Sequence, residues 1–126
     1  MNIPESLLYT KDHMWVKKEG DLVVCGITDY AQSELGDIVF IELPSLGQKL
    51  RKGQKMGSVE SVKSVSNLYA PASGEIVEVN TSLEDKPEAI NQKPYEGWIV
   101  KIKIENEEEL GELLTAKQYK EFIQEN

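Results

Sequence analysis

The sequence predicts a mainly β fold, a small antiparallel sandwich or barrel with one short helix near 28–35 and a helical C-terminus. Three observations predict it. Trp98-Ile99-Val100-Lys101-Ile102-Lys103-Ile104 alternates cleanly, which sets Trp98, Val100, Ile102 and Ile104 on one face of a strand. Gly47, Gly53, Gly57 and Gly74 punctuate the middle of the chain at short intervals, leaving room only for short strands. After Glu107 the apolar period lengthens, with Leu110, Leu113 and Leu114, then Tyr119, Phe122 and Ile123, at helical spacing.

The elements follow in order. Met14-Trp15-Val16-Lys17-Lys18 and Leu22-Val23-Val24-Cys25-Gly26-Ile27 flank Glu19-Gly20-Asp21, a hairpin closed by a glycine turn. Thr28 caps a short helix over Asp29–Leu35, Asp29 complements its positive end, and Gly36 is expected to stop it in a left-handed conformation. Asp37–Leu43 returns to strand and ends at Pro44, and Ile76, Val77 and Val79 give another strand. Thr81–Gly97, with Pro87 and Pro94, reads as a long loop of the kind that covers something or carries function. Glu107, Glu108 and Glu109 suit the start of a helical turn, and Thr115 with Gln118 forms a capping box that starts a second helix at Ala116. Residues 1–126 are expected to form one domain, being too few for two ordinary ones.

Composition narrows the function. The chain carries 22 acids against 14 bases, a formal charge of −8, which disfavours nucleic acid and anionic membrane surfaces. The basic cluster Lys49, Arg51, Lys52 and Lys55 reads as a solvated face. No apolar run is long enough to span a bilayer, and no signal or transit pattern opens the chain. A single cysteine, Cys25, fits a reducing compartment and a buried strand position, so a cytoplasmic location is expected. His13 is the one histidine, so no catalytic pair or metal cluster forms around it; it lines a cleft or is a partly buried hydrogen-bonding side chain. Trp15 and Trp98 read as core or cleft wall, and Gly53 and Gly57 form no phosphate loop. With no nucleophile–base pair in view, the chain is expected not to be an enzyme.

The residue that points to function is Lys63, within Val59-Glu60-Ser61-Val62-Lys63-Ser64-Val65-Ser66. A lysine among small and β-branched residues, with an acid three positions before it, is the setting of an attached carrier cofactor. The following Asn67–Asn80, through Ala70-Pro71 and Ser73-Gly74-Glu75, extends the pattern. So do Tyr9-Thr10-Lys11-Asp12-His13, Gly26–Gln32, Leu35–Pro44 and Pro94-Tyr95-Glu96-Gly97-Trp98. In this order, from about Tyr9 to Ile123, the chain resembles the H proteins of the glycine cleavage system.

The resemblance implies a barrel-sandwich hybrid of lipoyl-domain type, with a hairpin core at about 37–80 and a helical tail at about 107–125. It implies (R)-lipoate on Lys63 at the tip of a tight turn, with Glu60, Ser61, Val62 and Ser64 forming the recognition turn; Ser61 and Ser64 are expected merely to keep that turn small and soluble. The implied partners are a pyridoxal-phosphate glycine decarboxylase, a tetrahydrofolate-dependent aminomethyltransferase, a dihydrolipoamide dehydrogenase, and a lipoyl ligase or lipoyl/octanoyl transferase. By the same analogy an S-aminomethyl arm folds into a cleft, for which Asp12, His13, Met14 and Asn67 are the candidate residues. A charged amine is the stable form there, because a neutral one expels the thiolate. The family usually has an acid where this chain has Met14, and often one where it has Asn67. Either Asp12 or another acid compensates, or the loaded arm is less protected. The alternative reading is an H-like lipoyl protein that donates lipoyl groups to 2-oxoacid dehydrogenases or serves another pathway. A biotin carrier fits less well, because Val62 and Ser64 stand where biotin sites usually have methionines.

Overall fold

The computed structural model describes residues 1–124. Strands β1 (Leu8–Tyr9), β2 (Met14–Glu19) and β3 (Leu22–Ile27) are followed by helix α1 (Asp29–Leu35) and strand β4 (Ile38–Glu42). Next come β5 (Lys49–Leu50), β6 (Lys55–Ser61), β7 (Val65–Tyr69) and β8 (Gly74–Val79). One-turn helices α2 (Ser82–Asp85) and α3 (Ala89–Gln92) precede β9 (Val100–Ile104). A 3-10 helix over Glu107–Glu112 and helix α4 (Ala116–Gln124) complete the described chain. The expected helical tail to about 125 is therefore seen to Gln124, and its last residue lies outside the described residues.

The strands form a six-stranded sheet in the order β1-β2-β3-β9-β8-β5 and a three-stranded sheet in the order β4-β6-β7. Every pairing is antiparallel. Inward residues of both sheets, among them Val23, Cys25 and Ile102 from one and Ile41, Val59 and Leu68 from the other, share one core. The architecture is the expected barrel-sandwich hybrid, with open edges and no closed barrel. A second cluster, built on Tyr9, Trp15, Val24, Ala116 and Tyr119, lies on the opposite face of the larger sheet, under α4. Alternation along β2 accounts for the split: Met14 and Val16 face the shared core and Trp15 faces the other side. No helix among the described residues is long and apolar enough to cross a membrane.

Local chemistry sets the boundaries. Thr28 Oγ1 accepts the Ala31 N–H at 3.1 Å and starts α1. Thr115 and Gln118 cap α4 reciprocally: each backbone N–H reaches the other's side-chain oxygen, at 2.9 and 3.2 Å.

Four expectations change. Gly36 stops α1 at a positive φ, 80°, as expected of glycine, but its ψ of −155° is not that of a left-handed helical residue. The stretch expected as a loop contains α2 and α3; four-residue helices show no readable period, and their anchors are the single buried residues Leu83 and Ile90. Trp98 lies before β9 and packs against the second cluster, its carbonyl accepting from Asn80 Nδ2 at 2.8 Å, while Ile99 is buried in the shared core. The turn carrying Leu110 is a 3-10 helix, capped by Asn106 accepting the Glu108 N–H at 3.0 Å.

Candidate functional site

Glu60↔Val65 is the last residue pair of the β6–β7 hairpin, and Ser61, Val62, Lys63 and Ser64 make the reversal. Lys63 is exposed at its tip, flanked by the exposed apolar residues Val62 and Val65. The tip is tied to the body: Val62 N–H donates to Asp37 O at 3.0 Å, just before β4. The aliphatic stem of Lys63 lies over Gly36, where an added Cβ would stand 3.5 Å from Lys63 Cε. Asn91 of α3 fixes that corner by donating to Gly36 O at 2.8 Å and accepting the Ile38 N–H at 2.9 Å. The loop expected to cover something thus braces the α1–β4 corner beneath Lys63.

Ser61 is buried, at 5 % exposure. Its hydroxyl accepts the Lys63 and Ser64 N–H groups at 3.3 and 3.1 Å and donates to Ser64 O at 3.2 Å. Its own N–H also donates to Ser64 O, at 2.8 Å. Ser61 was expected only to keep the turn small; it is instead the turn's internal scaffold. Ser64, exposed, donates and accepts within it. Glu60 is exposed beside the tip.

A cavity of about 380 Å³ opens between α1 and β7. Ile27, Val59 and Leu68 contribute its apolar lining, and Ser64, Val65, Ser66 and Asn67 form the hairpin side. Asp12 and His13 also line it, as do Tyr30 and Glu34 from α1. Lys63 precedes Ser64 directly, so the lysine stands at the cavity's rim. None of the described lining residues is a lysine or arginine.

Of the four residues expected at a cleft, Asp12, His13 and Asn67 line this one cavity. Met14 does not: it is 1 % exposed in the shared core, on the inward face of β2. Tyr30 and Glu34 were missed. They lie four apart on α1, within 3.5 Å through Tyr30 OH and Glu34 Oε1, and that i, i+4 spacing beside inward Ala31 and Leu35 was the available signal.

His13 is the one described non-glycine residue with positive φ, at 66°. The preceding turn holds it there: His13 N–H donates to Thr10 O at 3.1 Å, and Thr10 Oγ1 accepts from Asp12 and Met14 N–H. The ring stacks obliquely on Tyr30 at 4.9 Å, and its Nδ1 is 2.8 Å from Tyr119 OH. That hydroxyl is also 2.8 Å from Thr28 Oγ1. Burial pulls the His13 pKa below its usual value, opposed by the charges of Asp12 and Glu34. Burial also raises the Tyr119 hydroxyl, against the opposing hydrogen bond from Thr28.

The remaining candidates are structural. Cys25 is fully buried, its thiol pushed up to about 12 by burial. Trp15 donates from Nε1 to Pro94 O at 3.0 Å, and neither tryptophan lines the cavity. In the basic cluster Lys49, Arg51 and Lys55 are exposed, while Lys52 pairs with Glu112.

A barrel-sandwich fold that exposes a lysine on a hairpin tip beside a cleft is that of a carrier domain of the lipoyl-attachment class. Comparison with known proteins gives the family. The family model for the glycine cleavage H-protein matches residues 7–126. The chain is 57 % identical over 124 residues to the glycine cleavage system H protein of Staphylococcus carnosus (strain TM300), covering 98 % of each chain. It is 56 % identical, with the same coverage, to that of Staphylococcus haemolyticus (strain JCSC1435). The crystal structure of a glycine cleavage system H protein from Mycobacterium marinum superposes with a TM-score of 0.86 at 44 % identity, covering 98 % of both chains. The chain belongs to the glycine cleavage H-protein family, and a lipoyl-carrier role follows from that membership.

Proposed function

We propose that Lys63 Nζ is the attachment point of (R)-lipoate and that this chain carries the aminomethyl group of glycine between enzymes without catalysing a step itself. The observation that carries the reading is the position of Lys63, exposed on a braced turn beside a cleft whose described lining holds two acids and one histidine but no lysine or arginine. When attached, lipoate supplies a disulfide that can be reduced, loaded and reoxidised. The protein supplies position. Glu60, Val62 and Ser64 surround Lys63 as the surface read by a lipoyl ligase or transferase. Asp12 and Glu34 place carboxylates where a cationic amine on the arm gains a counter-charge, offsetting the absence of an acid at Asn67. The enzymes served are the glycine decarboxylase, the aminomethyltransferase and dihydrolipoamide dehydrogenase, in the cytoplasm.

The test is intact mass with peptide mapping, on wild type and Lys63→Ala, after incubation with a lipoyl ligase and free lipoate. A single lipoyl increment on Lys63, absent from the variant, is expected. No increment on folded protein, with the ligase active on a control carrier, overturns the reading. Met14 and Asn67 favour one second reading, a relay that donates lipoyl groups to 2-oxoacid dehydrogenases. Reconstitution with glycine decarboxylase separates the two: glycine-dependent exchange of carbon dioxide is expected, and its absence from fully lipoylated protein leaves the relay.

A further inference from the structure

The turn that presents Lys63 is unusual for a hairpin. Short hairpin turns match the twist of their strands by placing residues at positive φ, which asparagine and glycine tolerate. Val62, Lys63 and Ser64 are none of these, and none has positive φ. Nothing in their backbone preferences selects this reversal. One backbone bond, Ser61 N–H to Ser64 O at 2.8 Å, closes it, and the Ser61 hydroxyl fills its inside. A serine hydroxyl offers one donor and two acceptor lone pairs. All three are used, by Lys63 N–H, Ser64 N–H and Ser64 O. The group sits inside the turn, in one of the two buried polar side chains among the described residues, the other being Thr28. Thr28 caps α1; Ser61 has no helix to cap.

We propose that Ser61 is a positioning residue for the modification of Lys63: its buried hydroxyl presets the backbone from Lys63 to Ser64, so that a ligating enzyme meets the lysine already in its docked geometry. The inference rests on the reading of Lys63 as the lipoyl site. Its physical content is preorganisation. A loose turn must be ordered when the enzyme docks, and that ordering weakens binding without altering the chemical step. Val62 N–H on Asp37 O fixes one side of the turn, and the Lys63 stem rests on Gly36. The hydroxyl fixes the other side. Removing it leaves two N–H groups to find water and frees the peptide that bears the lysine.

The test compares lipoylation kinetics of wild type, Ser61→Ala and Ser61→Thr, with amide hydrogen exchange on the same proteins. For Ser61→Ala, KM for the carrier is expected to rise about tenfold, with kcat within about twofold of wild type, the signature of lost preorganised binding. Ser61→Thr keeps the hydroxyl and is expected to restore most of the loss. In wild type the Lys63 and Ser64 amides are expected to exchange at least about tenfold more slowly than an unstructured chain, and to lose that protection in Ser61→Ala while β2 and β3 amides keep theirs. Wild-type KM in a folded Ser61→Ala, or failure of Ser61→Thr to rescue, overturns the proposal. If Ser61→Ala does not fold, exchange on wild type decides: Lys63 and Ser64 amides exchanging at unstructured rates also overturn it. Wild type that takes no lipoyl group at all refutes the reading of Lys63 instead, and leaves the exchange result standing for the turn.

Discussion

Two of the hairpins among the described residues are closed by different means. The β2–β3 hairpin turns at Gly20-Asp21, directly after the Glu19↔Leu22 pair, with Gly20 at φ 65° and nothing within 4 Å of where its Cβ would be. The β6–β7 hairpin turns through Ser61–Ser64, with no glycine in the reversal, a buried hydroxyl inside it and a tie to Asp37. A glycine turn is cheap and self-sufficient, but it presents no side chain. A turn that must offer a lysine gives up glycine at the tip and takes its order from the surroundings. Glycine is still used in that second hairpin, but in its strand. Gly57 sits at a bulge of β6, where an added Cβ would lie 2.2 Å from Glu42 O of β4.

That difference breaks most sharply at the glycines. Gly57→Ala drives a methyl into backbone that cannot move aside cheaply, so β4 must separate from β6, and a loss of about 3 kcal/mol or more is expected. Because β4 begins at the corner that braces the lysine turn, lipoylation is expected to fall along with stability. Gly20→Ala meets open space and carries only the penalty of a positive φ, about 1–2 kcal/mol, with lipoylation unchanged. Urea unfolding of the two variants beside a lipoylation assay checks both. Equal losses would mean that the close approach at Gly57 relaxes and that the two hairpins are equally self-sufficient.

The same contrast explains what was legible in the sequence. Gly20, the Trp98–Ile104 alternation, Thr28 and the Thr115/Gln118 box are local signals, and each produced the element expected of it, apart from the place of Trp98. The exposed turn at Lys63 was expected only through its neighbours and the family they resemble, since no turn preference marks Val62-Lys63. Ser61 was undervalued because a buried hydroxyl looks the same in sequence as an exposed one. Its role depends on which N–H groups the fold brings to it. Glu34 was missed for a related reason. Its cleft is made by α1 and β7, elements about 30 residues apart, whose approach no local pattern records. Met14 does not join His13 in the cleft because it opens β2 on that strand's inward face, in the shared core.

On the cleft side, Glu34→Gln tests whether the charge contributed by α1 serves the arm. An exposed carboxylate–ammonium pair is worth about 0.2–1 kcal/mol. Lipoylated protein loaded with glycine and the decarboxylase is therefore expected to lose its aminomethyl load about 1.5 to 5 times faster in the variant, followed by intact mass. At 1 M salt, where the screening length is about 3 Å, the difference is expected to shrink. A load as long-lived as that of wild type at low salt would mean that Glu34 does not replace the acid missing at Asn67.

The smallest effect belongs to the residue that joins the two sides. His13 lines the cleft with Asp12, Tyr30 and Glu34, while its Nδ1 and ring edge meet Tyr119 and Phe122 of the second cluster. Burial lowers its pKa from the ordinary 6.5, against the raising pull of Asp12 and Glu34. Between the folded value and 6.5 the unfolded chain binds more protons than the folded one, so stability rises with pH across that window. The contribution is whole above about 6.5 and is lost as pH falls toward the folded value. As the chain has one histidine, a single imidazole resonance reports the titration. A midpoint below 6.5 is expected, and Glu34→Gln is expected to lower it further by removing one of the two opposing charges. A midpoint above 6.5 would mean that the acids, not burial, govern the ring. A midpoint above 7 would in addition put a second cation in the cleft at neutral pH, and the charge argument for an arm bearing an ammonium would fail with it.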